Sequence, residues 1–514
     1  MNRNVARPNP NPGVPEPPSK ARNWAVSVGV RGAGKFVRRQ LEMRAAGAGA
    51  RPSLRQMVAG RRRQPAEGQE GRAPEACHDG WRSALNCTTM DRWNKPHRIQ
   101  PLAMPRFDHI RIVGWRQFDD IAIDFHPRMT VLTGANGAGK TTLLKLLSVH
   151  FGWNFKYAST LGASKRGLRY IAGVWRRLGI SEEAEPSAKH RPIGELAYSN
   201  GTTTELTVPA KPGTTFNIGL TRGQAMPGVY VASHRPPFVY QSVNSIPTNI
   251  SLSKQMFDNY VNELKARFNP NARQNSPTLR MKEAIISLAT LGFGNRFVEP
   301  NEQAVQTFEG FQAILRHVLP PSVGFREIRV HLPDVMLVTE SGDFALDDAS
   351  GGLASIIDLA WQVFLAFSIY DEFTVVIDEP ENHLHPKMQL SLLDNFLDAF
   401  STAQFVVATH SPLIVGSVKD SAVYMLDFAD TAEGTCRVRS HRLDLETKAG
   451  TANEILRQVL GVETSMPIWV QNEIDNVFER YASVDMTREQ LEKLRADIKS
   501  LGLDEALLDL LIKE

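Results

Sequence analysis

A chain of 514 residues with 42% apolar side chains can hold two to four domains and a large core. Cys77, Cys87 and Cys436 are too few and too scattered for a disulfide framework or a metal cluster, which fits a reducing, cytoplasmic setting. The net charge of +4 is uneven: residues 1–100 carry 19 Lys and Arg against 7 Asp and Glu, whereas the rest carries 40 against 48, so a tail of +12 precedes a body of −8.

The tail, residues 1–103, is rich in Arg, Pro, Gly and Ala and includes Pro8-Asn-Pro-Asn-Pro12 and Arg61-Arg62-Arg63. Such a segment buries too little apolar surface to fold and is expected to be disordered. It reads as a nucleic-acid-binding arm, as a transit-like presequence, or as an over-extended start ahead of Met104. Gly32-Ala-Gly-Lys35 imitates a phosphate loop, but Phe36 stands where a hydroxyl is needed.

From Phe107 apolar and polar residues alternate through Ile110, Ile112, Ile121, Ile123 and Phe125, which predicts two strands. A short strand at Val131-Leu132 then runs into Gly134-Ala135-Asn136-Gly137-Ala138-Gly139-Lys140-Thr141-Thr142, followed by a helical pattern from Leu143. This is the strand, glycine loop and helix order of a P-loop. Its glycines let backbone N–H groups converge on phosphate oxygens, Lys140 can reach the β- and γ-phosphates, and the Thr141 hydroxyl can ligate Mg²⁺. The chain is therefore expected to bind ATP with Mg²⁺.

Residues 151–250 read as mixed, with turns at Pro209, Pro212 and Pro236-Pro237. Within them Lys165, Arg166, Arg169, Arg176 and Arg177 cluster with Tyr170 and Trp175. They form either a phosphate-contacting patch or, the reading preferred for so acidic a body, the outer face of one amphipathic helix. Residues 251–318 predict three helices with breaks near Pro270 and Pro300. Strands follow at Phe325–Leu332 and Val335–Thr339, then a turn at Ser350-Gly351-Gly352 and a helix to about Ile369. A strand at Phe373–Ile377, a helix at about Pro386–Phe400, strands at Phe405–Ala408 and Ala422–Asp427, and a polar helical segment from about Ala452 complete the chain. The most apolar window, Ile356 to Ile377, contains Asp358, Gln362, Asp371 and Glu372. It reads as a buried helix and strand rather than a membrane span. Strands alternating with helices predict an α/β head with a mixed sheet, a helical insertion and a helical C-terminal segment. The expected divisions are 104–250, 251–320, 321–440 and 441–514.

Four further motifs accompany the P-loop. Thr374-Val-Val-Ile-Asp378-Glu379 is an apolar strand ending in two acids, with Asp378 placed to hold Mg²⁺ and Glu379 to act as general base on water. Ser350-Gly351-Gly352 opens a helix and offers an anion site to the γ-phosphate of ATP on a second subunit, with Ser350 also suited to cap the helix. His410, in Ala408-Thr-His-Ser-Pro412, is placed to contact the γ-phosphate and Glu379. His383 and His385 in Glu379-Pro-Glu-Asn-His-Leu-His-Pro386 alternate as metal ligands do, but no Cys or His partners lie at fitting spacing, so a subunit-bridging role is preferred over zinc.

Together these residues resemble the ABC/SMC-like ATPases over about residues 104–430, and within them the OLD and RecF-like branch, including ATPase subunits of Septu-type anti-phage systems. The resemblance implies a head in which two copies, as a homodimer or higher homo-oligomer, enclose two ATP molecules. It also implies that Arg116, in Gly114-Trp-Arg-Gln-Phe118, lies near the nucleotide, although a surface arginine on a turn is an equal reading. Two departures stand out. Leu353 occupies the place of the family's Gln or Glu after the signature, and only Gln241 offers itself as a Q-loop residue.

OLD nucleases carry a metal-binding Toprim domain after the head, built on a glutamate and an Asp-x-Asp pair. Asp427 and Asp430 have the wrong spacing. Glu473, Asp475, Glu479, Glu489, Glu492 and Asp497 read as solvated helix faces or partner surfaces. The expectation is an ATPase without its own nuclease that gates a separate effector, such as an HNH nuclease, in anti-phage defence. The competing readings are a RecF-like ATPase that clamps DNA and, less favoured because of the helical insertion and the Glu379–Pro386 segment, the ATP-binding subunit of a transporter.

Overall fold

The computed structural model describes residues 104–501 except 165–166, 174–188, 236, 249–252, 269–275, 431–435, 463–466 and 482–486. The basic tail, and Lys165, Arg166, Trp175, Arg176 and Arg177 of the predicted patch, lie outside the described residues. The chain divides into two compact units, one spanning residues 88–465 and the other containing the described residues from 467 onward.

The larger unit is organised by an eleven-stranded mixed sheet. Its strands in chain order are β1 Phe107–Val113, β2 Phe118–Asp124, β3 Met129–Gly134, β4 His190–Tyr198, β5 Thr203–Pro209, β6 Gly219–Thr221, β7 Gly228–Val231, β8 Phe373–Asp378, β9 Ala403–Ala408, β10 Ala422–Asp430 and β11 Cys436–Arg442. Across the sheet the order is β6-β5-β4-β1-β2-β11-β10-β3-β9-β8-β7. The last five strands of that order run parallel, and the antiparallel β4–β6 and β1–β2 lie on the other side. Sequence separates the two regions physically. β3, β8 and β9 are buried at every position, as strands covered on both faces must be, whereas β1 and β2 alternate buried and exposed residues.

Three helices stand where the insertion is expected: α2 Ser253–Ala266, α3 Pro277–Gly292 and α4 Glu302–Val318, after α1 Lys140–Ser148 behind the P-loop. A separate three-stranded sheet, Phe325–His331, Asp334–Thr339 and Phe344–Ala345, leads into α5 Gly351–Phe367, and α6 Pro386–Ala399 lies between β8 and β9. In α5 every residue from Leu353 to Ala366 is buried, and the helix packs on α2 and α4. No helix among the described residues is long and apolar enough to cross a membrane.

Two expectations are corrected. Thr160–Ser164 and Gly167–Ile171 form an antiparallel hairpin, so the strand that carries Arg169 and Tyr170 is not part of an amphipathic helix. Ala422–Asp430 is not the last strand, because β11 follows and inserts between β10 and β2. The second unit contains the helices Ile468–Tyr481 and Arg488–Ser500, whose buried residues Ile474, Val477, Phe478, Leu494 and Ile498 are apolar.

Candidate functional site

The parallel register brings the three motif loops to one edge. Ala408 at the end of β9 lies opposite both Asp378 of β8 and Leu132 of β3, so the loops leaving these strands emerge side by side. This is where ligands bind in open parallel sheets.

The P-loop leaves β3 with Gly134, Gly137 and Gly139 in the left-handed region. Gly134 has a second reason to be glycine, because a Cβ there would stand 2.1 Å from the Leu426 carbonyl oxygen of the neighbouring strand. Ala135, Asn136 and Gly137 are exposed, Ala138 is buried, and Thr142 is half-buried in the first turn of α1. The Lys140 ammonium folds back onto the loop and donates to the carbonyls of Gly134 at 2.9 Å and Ala135 at 3.0 Å. Burial pulls its pKa down to about 8, against the opposing charges of Asp378, Glu379 and Glu381.

Thr141 Oγ1 donates to Asp378 Oδ1 at 3.1 Å, joining the two expected Mg²⁺ ligands. Burial pushes the Asp378 pKa up to about 6. A hydroxyl and a carboxylate side by side are the hard oxygen donors this ion prefers, and they leave room for water and phosphate, so the residues fit it.

Glu379 adopts φ +49°, and its N–H donates to the Ala408 carbonyl at 2.8 Å. Asn382 Nδ2 donates to its carboxylate at 2.9 Å. His410 Nε2 lies 3.9 Å from Glu379 Oε1. Burial and the Lys140 charge lower the His410 pKa, which favours a neutral ring.

Sequence reading missed several residues that build this site. Glu381 Oε1 accepts from Thr409 Oγ1 at 2.7 Å, His410 N at 2.8 Å and Ser411 N at 3.2 Å, so it holds the histidine loop. Gln117 Nε2 approaches the Gly137 carbonyl at 3.4 Å, and a Cβ on Gly139 would meet the Phe118 ring at 2.4 Å, so the β1–β2 turn supports the P-loop from outside. Within that turn Arg116, at φ +52°, lays its guanidinium against the rings of Trp115 and Tyr157 at 5.8 and 5.7 Å. Gln241 accepts from Ser276 N, and its carbonyl accepts from Lys282, so its contacts are with the helical insertion. His385 Nδ1 accepts from Lys387 N and caps α6. The third acid of the Asp-Glu-Pro-Glu run was the available signal for Glu381, and nothing local marks Arg235.

Ser350 occupies the N-cap of α5, yet its side chain makes no capping hydrogen bond and the residue is exposed. Gly352 packs against the Glu379–Leu384 loop so closely that a Cβ would stand 2.9 Å from the His383 carbonyl oxygen. Leu353 is buried.

Fold and motif loops together resemble those of P-loop ATPase heads of the ABC/SMC-like kind. Residues 109–193 match the family model described as "AAA domain", and residues 314–416 match the one described as "AAA domain, putative AbiEii toxin, Type IV TA system". The chain resembles, at low identity, the Septu protein PtuA of Bacillus mycoides (strain KBAB4), 25% identical over 161 residues that cover 30% of this chain and 22% of that protein. It also resembles PtuA of Bacillus thuringiensis, 24% identical over 206 residues that cover 35% and 52%. The chain thus spans about half or less of the curated relatives it matches. The SMC head domain from Thermotoga maritima aligns with a TM-score of 0.34 at 15% identity, over 66% of this chain and 99% of that one.

Proposed function

We propose that this chain hydrolyses ATP as a head that closes on a second copy of itself, and that closure gates a separate effector in anti-phage defence. The observation that carries the reading is the meeting of Lys140, Thr141, Asp378, Glu379 and His410 at one sheet edge, with Ser350 at an exposed helix start that its hydroxyl does not cap.

Lys140 would exchange the Gly134 and Ala135 carbonyls for β- and γ-phosphate oxygens. Thr141 and Asp378 would hold Mg²⁺, which supplies charge neutralisation on the triphosphate. Glu379, oriented by Asn382, accepts a proton from the attacking water, and neutral His410 holds the γ-phosphate side of the site by hydrogen bonding. Ser350, Gly351 and Gly352 would face the γ-phosphate of ATP held by the partner copy, with backbone N–H groups and the α5 dipole as anion donors. Arg116 would border the nucleotide through the turn whose Gln117 and Phe118 touch the P-loop. The helices after Ala452 would offer the effector surface, with an HNH nuclease as the expected kind of partner. The resemblance to Septu proteins supports the defence role, and a cytoplasmic setting is part of the same proposal.

The test is Glu379→Gln. Removing the base costs about 10²–10⁴-fold in turnover. The variant should bind ATP, accumulate as an ATP-dependent dimer in light scattering, and hydrolyse at a small fraction of the wild-type rate. Wild-type turnover, or no dimer at saturating ATP, sinks the reading.

A further inference from the structure

Arg235 lies just past the edge strand β7 and is only 8% exposed. Its Nη2 donates to three carbonyls of the catalytic loop, those of Glu379 at 3.3 Å, Pro380 at 3.1 Å and Asn382 at 3.3 Å. Its Nε donates to Ser355 Oγ at 2.8 Å, on the second turn of α5. Ser355 in turn donates to the Asn382 carbonyl at 3.3 Å. Asn382 completes the arrangement through its side-chain amide, which donates to the Ser233 carbonyl at 3.1 Å and to Glu379 Oε2 at 2.9 Å.

A guanidinium withdrawn from water is costly and stays charged. Here it is spent on a loop whose Glu379 and His383 both sit at positive φ. Such strained residues persist only where their surroundings hold them. The grip therefore determines where the Glu379 carboxylate stands. The same side chain fastens that loop to α5, whose first residues are the Ser350-Gly351-Gly352 turn. In the proposed dimer the two elements serve different ATP molecules: Glu379 acts on the chain's own ATP, and the start of α5 meets the ATP of the partner.

We propose that Arg235 is a positioning residue that couples the two composite sites. When the start of α5 engages the partner's ATP, Ser355 and Arg235 set the catalytic loop, and Glu379 comes into line on the chain's own ATP. Arginine suits this role because its fork donates in two directions from a rigid plane, with Nε on Ser355 and Nη2 on the carbonyl cluster. The proposal rests on the dimer reading given above.

The experiment uses the full chain with Arg235→Lys and Ser355→Ala. The first keeps a cation beside the carbonyls and loses the link to α5; the second cuts the link from the α5 side. Neither residue touches the P-loop, so nucleotide affinity should stay at the wild-type value. Turnover should fall about tenfold to a hundredfold, the usual cost of a misplaced catalytic group. Each protein is then mixed one to one with its own Lys140→Ala counterpart, which binds no ATP and so leaves the α5 of the copy paired with it unengaged. With coupled sites only dimers of two active copies turn over, and activity falls to about a quarter of the undiluted rate; with independent sites it falls to about half. Wild type should give about a quarter and both variants about half. If Glu379→Gln forms no ATP-dependent dimer, the dimer reading fails and the coupling fails with it. If the dimer forms but both variants keep wild-type turnover and a quarter, the coupling alone is wrong. Should Arg235→Lys lose its cooperative melting transition, Ser355→Ala decides.

Discussion

Asp378→Asn should make the empty protein more stable while abolishing its activity. Asp378 is 2% exposed, ends a strand buried at every position, and has the Glu379 carboxylate beside it; Thr141 Oγ1 is its hydrogen-bond donor. Its pKa stands at about 6 in the folded chain against an ordinary 3.8. A raised carboxyl pKa means that the folded state holds its proton more tightly than the unfolded state does. Stability is then greatest below pH 3.8 and is lost as the pH rises through 6. Above that the ionised group costs about 3 kcal/mol, from roughly two pKa steps at 1.36 kcal/mol each. Asparagine keeps an acceptor for Thr141 and carries no charge. The variant should therefore gain about 3 kcal/mol at pH 7.5 and only about 1 kcal/mol at pH 4.5, where most of the wild-type penalty is absent. Thermal melting at both pH values, in chelator and without nucleotide, measures this as a rise of a few degrees that shrinks in acid. A variant that melts at or below wild type at pH 7.5, or shifts equally at both pH values, refutes the reasoning.

Other outcomes follow from the same geometry. Lys140→Ala should remove ATP binding. In the wild type, ATP affinity should fall several-fold between pH 7 and pH 9, as an ammonium with a pKa of about 8 loses its proton; a flat binding curve over that range refutes the role. Lys282 is fully buried in α3 and pairs with Asp347, which lies three residues before Ser350, and with Asp334 at 3.2 Å. Lys282→Met strands these carboxylates and should destabilise by about 3–5 kcal/mol, and adding Asp347→Asn should restore part of the loss in chemical denaturation. Strictly additive losses would show that the pair is not coupled.

The P-loop, the Asp378-Glu379 strand end and the His410 loop are legible because each is a local backbone device at the end of an apolar strand. A fully buried parallel strand announces itself as a continuous apolar run, and glycines at positive φ announce the loop. The three insertion helices are legible for a similar reason: Pro270 and Pro300 interrupt clear periodicity. β11 was missed because Val438 is its one fully buried residue, so no alternation marks it; the strand exists because β2 and β10 offer free edges. The strand Gly167–Ile171, which carries Arg169 and Tyr170 of the basic cluster, is expected on a helix because its polar pattern fits either period.

By itself, then, the sequence determined the chemistry of each loop and the α/β class, since both follow from residue types within a few positions of one another. Tertiary structure alone decided which groups meet. Thr141 reaches Asp378 across 237 positions and Arg235 reaches Glu379 across 144. Glu381 holds the histidine loop 29 positions on. Such contacts are set by strand order and register, to which residues far along the chain contribute at once, so no local pattern encodes them.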